Sequence, residues 1–287
     1  MIDLVAAAAI VAALAFGAYA AGLWITLRFG PRVAGALAAL VAALSAAFTL
    51  TVRGRLCMVE LLPFSSAVVL ADWLPLGAGF LAGVVAGDAK LNAWRKILVG
   101  APITLLAWTG VLGCFFAGVA IEEHPWSHFG FPIQSSNVSC SPTAAAELLR
   151  TAGVSATERE MIEACLTQSS GTTTLGLYRG LAKKVEGTGL RVKAVYGEAA
   201  DLEKLRRPVL AFVYTSEPSE RFSPLLSALP TPGDHSIIVF GFTANGNVDV
   251  GDPALGRLIW PRDRFEECFS GEALELVPAT EIWPPAS

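Results

Sequence analysis

A cysteine set just ahead of a helix is the first residue in this chain that could do covalent chemistry. Cys140 stands before Ser141-Pro142, and proline is tolerated at a helix start because its missing N–H would have no partner there. The reactive form of cysteine is the thiolate, which the positive end of a helix stabilises. Cys165 and Cys268 fall within helical patterns and lack that setting. A thiolate of this kind needs a base. Residues 129–287 contain a single histidine, His235, so an imidazole drawn from that half can be no other. Such a base is oriented by a third group that fixes its tautomer. Asp252, in Gly251-Asp252-Pro253, follows 17 residues on. Gln134 lies six residues before Cys140, and its amide could join the backbone N–H of Cys140 in holding an oxyanion. Taken singly, each residue also has a plain structural reading: a buried thiol, a strand-end histidine, an Asp-Pro turn residue and a loop amide.

The elements that must position these residues run helices first, then strands. A helix from Ser141 to about Arg150 stops at Gly153. Thr157 and Glu160 form a capping box for a second helix through about Leu166. Tyr178, Leu181, Ala182 and Val185 recur at helical spacing and mark a third. Leu190, Val192, Ala194 and Tyr196 alternate as a half-buried strand does. Asp201–Arg206 reads as a short helix and Val209–Tyr214 as a buried strand. His235–Phe242 and Asn247–Gly251 flank Asn245-Gly246, a strong hairpin signal. Arg257–Trp260 and Ala273–Val277 follow as strands, and Ser216–Asp234, with four prolines, reads as a long loop. Helices followed by strands predict an α+β domain with helices packed on one face of an antiparallel sheet. A strict two-residue turn at Asn245-Gly246 would set Gly256, not Asp252, opposite His235. A triad therefore requires a wider loop or a bend in the strand.

The stretch from Gln134 through Cys140 to Ala146 (QSSNVSCSPTAAA) resembles the nucleophile region of the bacteriocin-processing, double-glycine-leader cysteine peptidases, a papain-like family. Gly171-Thr-Thr-Thr-Leu-Gly-Leu is similar to that family's Gly-Thr/Ser segment before a helix. Asp234-His235-Ser-Ile-Ile-Val-Phe-Gly-Phe is similar to its histidine strand, and Asp252-Pro253-Ala-Leu-Gly256 to its Asp-Pro-x-x-Gly segment. Phe265 to Leu276 is similar to the terminal helix and strand. The likeness covers about residues 130–277. It implies a papain-like fold with Cys140 as nucleophile, His235 as general base, Asp252 as its orienting partner and Gln134 as oxyanion donor. It also implies a peptide or protein substrate cut after paired glycines, and a separate export transporter as partner. Two departures stand out: Ser141 replaces the usual glycine after the nucleophile, and the domain follows apolar segments instead of preceding a full transporter.

Those apolar segments dominate the first half. Of 287 residues, 53% are hydrophobic and 16% charged, which excludes a disordered chain and departs from ordinary soluble composition. Residues 1–124 hold 7 Lys+Arg and 6 Asp+Glu, whereas residues 125–287 hold 14 and 19. A bilayer crossing needs about 20 apolar residues. Runs at about 4–27, 33–52, 61–87 and 97–121 meet that length, and together predict a four-span bundle over residues 1–121. The first run has no basic start and is too long for a signal peptide. Residues 122–132 form a juxtamembrane linker, with Trp126, Phe129 and Phe131 suited to the headgroup level. The peptidase-like domain then occupies 133–287. Asp72 is the one ionisable group inside a run; with no intramembrane partner in view, it reads as an interfacial residue beside Trp73 or as a protonated acid.

Loops one and three carry five basic residues (Arg28, Arg32, Lys90, Arg95 and Lys96), and loop two carries Arg53 and Arg55. This asymmetry predicts both termini, and the peptidase domain with them, outside the cytoplasm. The expected setting is a multi-pass protein of a bacterial cell membrane, with the lipid bilayer as partner. The net charge of −4 excludes a basic nucleic-acid footprint, and no phosphate-binding glycine loop is present, so no nucleotide is expected. No cofactor and no metal are expected either, since His124 and His128 lack further ligands nearby. The expected function is a membrane-anchored cysteine peptidase. Two alternatives stay open: a non-catalytic peptide-binding module of the same fold serving an export system, and a transglutaminase-like acyltransferase. A disulfide between Cys165 and Cys268 is a further possibility if the domain is extracytoplasmic.

Overall fold

The computed structural model describes residues 1–119, 131–215 and 234–280. His124, His128, Trp126, Phe129 and nearly all of the proline-rich loop lie outside the described residues. The chain divides into two compact units, 1–54 with 66–116, and 55–65 with 117–287.

The first unit is helical. Helices α1 (Ile2–Phe29), α2 (Pro31–Thr51) and α6 (Ala93–Gly113) are each long and apolar enough to cross a membrane. A fourth stretch, Ala67–Gly87, also qualifies. It is broken into α4 (Ala67–Leu70) and α5 (Leu74–Gly87), with Pro75 in the first turn of α5. Asp72 sits in that break. It is buried, and its Oδ2 pairs with Arg53 Nη2 at 3.1 Å. The expectation of an unpartnered Asp72 is therefore corrected: residue 53, read as a loop cation, folds back onto it. Gly110 of α6 lies against both groups, and a Cβ there would run into the Asp72 carboxylate.

The second unit takes in residues 55–65, including the one-turn helix α3 (Cys57–Leu61). Arg55 pairs with Glu272 at 3.8 Å, and Arg179 donates to the Ser65 carbonyl at 3.1 Å. Next come α7 (Cys140–Thr151), α8 (Glu158–Ala164) and α9 (Thr174–Val185). Thr157 and Glu160 close the expected capping box on α8, and the Thr173 hydroxyl caps α9. Strands β1 (Leu190–Tyr196), β2 (Val209–Val213), β3 (His235–Phe242), β4 (Val248–Asp252), β5 (Gly256–Trp260) and β6 (Phe269–Pro278) form one sheet in the order β1-β6-β2-β3-β4-β5, antiparallel throughout.

Helix α7 lies across β2, β3 and β4. Its Ala144, Ala145 and Ala146 are buried, and their small size permits close approach to the strands. Leu210, Ile238 and Leu274 share one face by register, the face on which Ser236 meets Ser141 of α7. Val209, Ala211, Ile237, Val239 and Ala273 fill the other face. There they cluster with Ala199 and Leu202 of α10 (Ala199–Glu203) and Phe265 of α11 (Arg262–Cys268). Helices thus cover both faces; α8 and α9 stack with α7, and the short helices α10, after β1, and α11, after β5, complete the second layer.

Phe131 is also reassigned. It is 1% exposed in the core of this unit, edge-on to Phe240 at 6.2 Å, and its ring fills the space over Gly251 that a Cβ would need.

Candidate active site

The sulfur of Cys140 begins α7, so the unpaired N–H groups of that helix face it. The loop leading in is fixed by short bonds. Ser135 donates its N–H and hydroxyl to Glu158 at 2.9 and 2.6 Å, and the Ser136 N–H donates to Ser139 Oγ at 3.0 Å. His235 is the first residue of β3 and stands beside the Cys140 thiol, close enough to lower it. Its Nε2 lies 2.9 Å from Asp252 Oδ1, which leaves Nδ1 for the thiol. Asp252 is 4% exposed, and the same oxygen accepts the Ala254 N–H at 2.9 Å.

The register explains how Asp252 reaches the ring. Thr243 pairs with Asn247, and the Gly246 N–H donates to the Thr243 carbonyl at 2.8 Å, so the loop holds three residues, Ala244 to Gly246. Gly246 adopts φ +80°, the left-handed conformation that such a loop demands. A second shift falls at Phe240, where Val239 pairs with Val250 but Gly241 with Asp249. The bulged Phe240 is held between Phe131 and the Arg257 guanidinium, 4.4 Å above its ring. Each irregularity moves the pairing by one residue. Together they carry Asp252 alongside Ile237, one diagonal step from His235 on the same face. The wider loop and the bend both occur; the strict two-residue turn does not.

The electrostatics follow. Burial raises the Cys140 thiol, but the His235 imidazole, the Ser236 backbone N–H and the Ser141 hydroxyl outweigh it and leave the thiol below its ordinary value. Burial lowers the His235 imidazole, whereas Asp252 and the Cys140 sulfur push it up to about 10. Asp252 is held below the usual carboxylate range: burial opposes this, and His235 and the Ala254 N–H outweigh burial. The shifts point one way: toward thiolate at Cys140 and toward imidazolium at His235, with the carboxylate behind the ring. Cys165 differs in every respect. It is fully buried against Gly180, and burial drives its thiol strongly upward. All five cysteines are free, so Cys165 and Cys268 form no disulfide.

Three of the four sequence candidates meet in this way. Gln134 lies on the entry loop, its backbone N–H bonded to the Pro253 carbonyl at 2.8 Å and its amide donating to the Ser136 carbonyl at 2.9 Å. One amide N–H is left for another acceptor. A cleft of about 300 Å³ borders Cys140, lined among others by Asn137, Thr172, Phe212 and Ser236. Ser236 is the residue that sequence reasoning missed. Its only signal is adjacency to the histidine, because a backbone N–H carries no side-chain signature.

With the geometry in place, comparison with known proteins decides the family. The profile of the Peptidase C39 family matches residues 129–281. The chain belongs to the Peptidase C39 family. Two relatives, from Methanothermobacter thermautotrophicus and Methanothermobacter marburgensis, are each 33% identical. The first match covers 50% of this chain and 84% of that protein, the second 49% and 83%, and both relatives are described as uncharacterized. Among solved structures, the chain is similar to the peptidase domain of Streptococcus ComA, a bi-functional ABC transporter (22% identity, 53% of this chain and 99% of that one, TM-score 0.42). It is also similar to a double glycine motif protease from an AMS/PCAT transporter (18% identity, 56% and 100%, TM-score 0.41). As a C39 member, the chain carries a papain-like α+β peptidase-family domain, behind four helices of membrane-crossing length.

Proposed function

We propose that this protein is a membrane-anchored cysteine peptidase that cuts peptides at paired-glycine sites through Cys140, His235 and Asp252. One observation carries the reading: the His235 ring holds the Asp252 carboxylate at 2.9 Å through Nε2 and stands beside the Cys140 thiol, which it lowers. The thiolate attacks the scissile carbonyl carbon, and the carbonyl oxygen becomes an oxyanion facing the Cys140 backbone N–H and the Gln134 amide. Imidazolium His235 gives its proton to the leaving amine as the C–N bond breaks. The neutral ring then takes a proton from water, which attacks the thioester and frees the acid. Asp252 keeps the ring in the tautomer these transfers need. The substrate is a peptide leader, and a separate transporter is the natural recipient of the cut product.

The division of the chain supports an extracytoplasmic site. The unit that holds the site includes residues 55–65, between the second and third apolar helices, as well as the chain beyond the fourth. Four crossings return both segments to the same side. The richer Lys/Arg loops, one and three, then face the cytoplasm.

The test is cleavage of a peptide panel with Gly-Gly, Gly-Ala and Ala-Ala at the scissile position. The wild-type chain is expected to cut the Gly-Gly peptide and Cys140→Ala to cut none, with unchanged circular dichroism. Equal cleavage by the two proteins would refute the mechanism.

A further inference from the structure

Ser141 occupies a place where the family pattern has glycine, and the structure gives its hydroxyl a partner. Ser141 Oγ lies 2.8 Å from Ser236 Oγ, and Cys140 Sγ lies 3.9 Å from Ser141 Oγ. Ser141 is 7% and Ser236 1% exposed, so neither hydroxyl has bulk water to turn to. The two residues are 95 positions apart, one on α7 and one on β3. Ser236 therefore reaches the sulfur with its hydroxyl through Ser141, and its backbone N–H helps to lower the thiol.

We propose that Ser141, oriented by Ser236, is a positioning residue that donates its hydroxyl proton to the charged Cys140 sulfur and holds it on the cleft side of α7. The proposal rests on the peptidase reading given above. The proton count fixes the direction. A thiolate only accepts, so the Ser141 O–H points to sulfur and its oxygen accepts the Ser236 O–H. When the sulfur is acylated and neutral, that donation loses its charge assistance. The hydroxyl pair thus favours the anion over the acyl-enzyme and over the thiol. Among the described residues, the other charged groups facing the sulfur are His235, Asp252 behind it, and the exposed Asp234, which Thr215 binds at 2.8 and 3.1 Å. Phe212 of β2 and the Ser170–Thr174 loop contribute no titratable side chain.

The test is the rate at which iodoacetamide alkylates Cys140 across pH, read on the Cys140 peptide by mass spectrometry in the full chain. The wild type is expected to react well below the ordinary thiol range. Loss of one charge-assisted hydrogen bond should move the midpoint up by about 1 pH unit in Ser141→Ala, and by less in Ser236→Ala. Ser141→Thr, which keeps the hydroxyl, should restore the wild-type midpoint. Should Ser141→Ala fail to fold, Ser141→Gly removes the same group without a new side chain and should show the same shift. A low wild-type midpoint that neither variant moves would overturn the role of Ser141 and leave the peptidase reading standing. A wild-type midpoint at the ordinary thiol value would bring down the peptidase reading itself.

Discussion

Two carboxylates are buried to nearly the same degree in the two units of this chain: Asp72 at 6% exposure and Asp252 at 4%. Each has one cationic neighbour, Arg53 at 3.1 Å and His235 at 2.9 Å. Burial and pairing alone do not separate them. The cation does. An arginine stays protonated in any protein environment, so Arg53 can hold a charge beside Asp72 but never pass a proton on. Histidine can lose and regain its proton, and here the ring stands beside a thiol that it lowers. The carboxylates also differ in completeness. Asp252 has a backbone donor besides the ring, whereas Asp72 Oδ1 has no partner. The first is a finished hydrogen-bond network; the second is a clasp between helix ends.

Substitution should separate the pair clearly. The largest effect is expected for Asp252→Asn, which keeps the shape and removes the charge. Peptide kcat/KM should fall on the order of 10². The sign of the pH effect follows from the charge: Asp252 raises the imidazolium, whose active form persists up to about 10. Without it, the alkaline limb of the rate profile should move to lower pH. An unmoved limb would put Asp252 in the same class as Asp72. Asp72→Asn should do the reverse, leaving the pH–rate profile unchanged and lowering stability by about 1–3 kcal/mol in a detergent melt. The low end is expected because the Arg53 side chain is a third exposed and can turn to water. A change in turnover would break the comparison from that side. The smallest effect is reserved for Thr157→Ala, which opens the α8 capping box and should cost about 1 kcal/mol with no change in kcat/KM.

The sequence carried the local elements well, because capping residues, period-two strands and the helix after Cys140 are written in neighbouring residues. It also pointed to Cys140, His235 and Asp252, since one histidine in that half left little choice. Register was harder to read. Asn245-Gly246 announces a hairpin, but whether two or three residues form the loop depends on the pairing of Thr243 with Asn247. The bulge at Phe240 has no local mark either; it depends on Phe131, over a hundred positions away. The Arg53–Asp72 pair, 19 positions apart, has no local mark either, and distance hid the allegiance of residues 55–65, whose partners Glu272 and Arg179 come over a hundred positions later.

The two extra residues of the β3–β4 hairpin set a rule for how this stretch could change over generations. Phe240 and the loop residues Ala244 to Gly246 stand outside the pairs that keep the two strands in step, so a residue lost there leaves the aspartate opposite Ile237. A residue lost from the paired stretches His235–Val239 or Val250–Asp252 would slip the pairing by one and turn the aspartate toward the opposite side of the sheet. Descendants that retain the chemistry should therefore vary in length at the loop and the bulge, and keep the residue count of those two paired stretches.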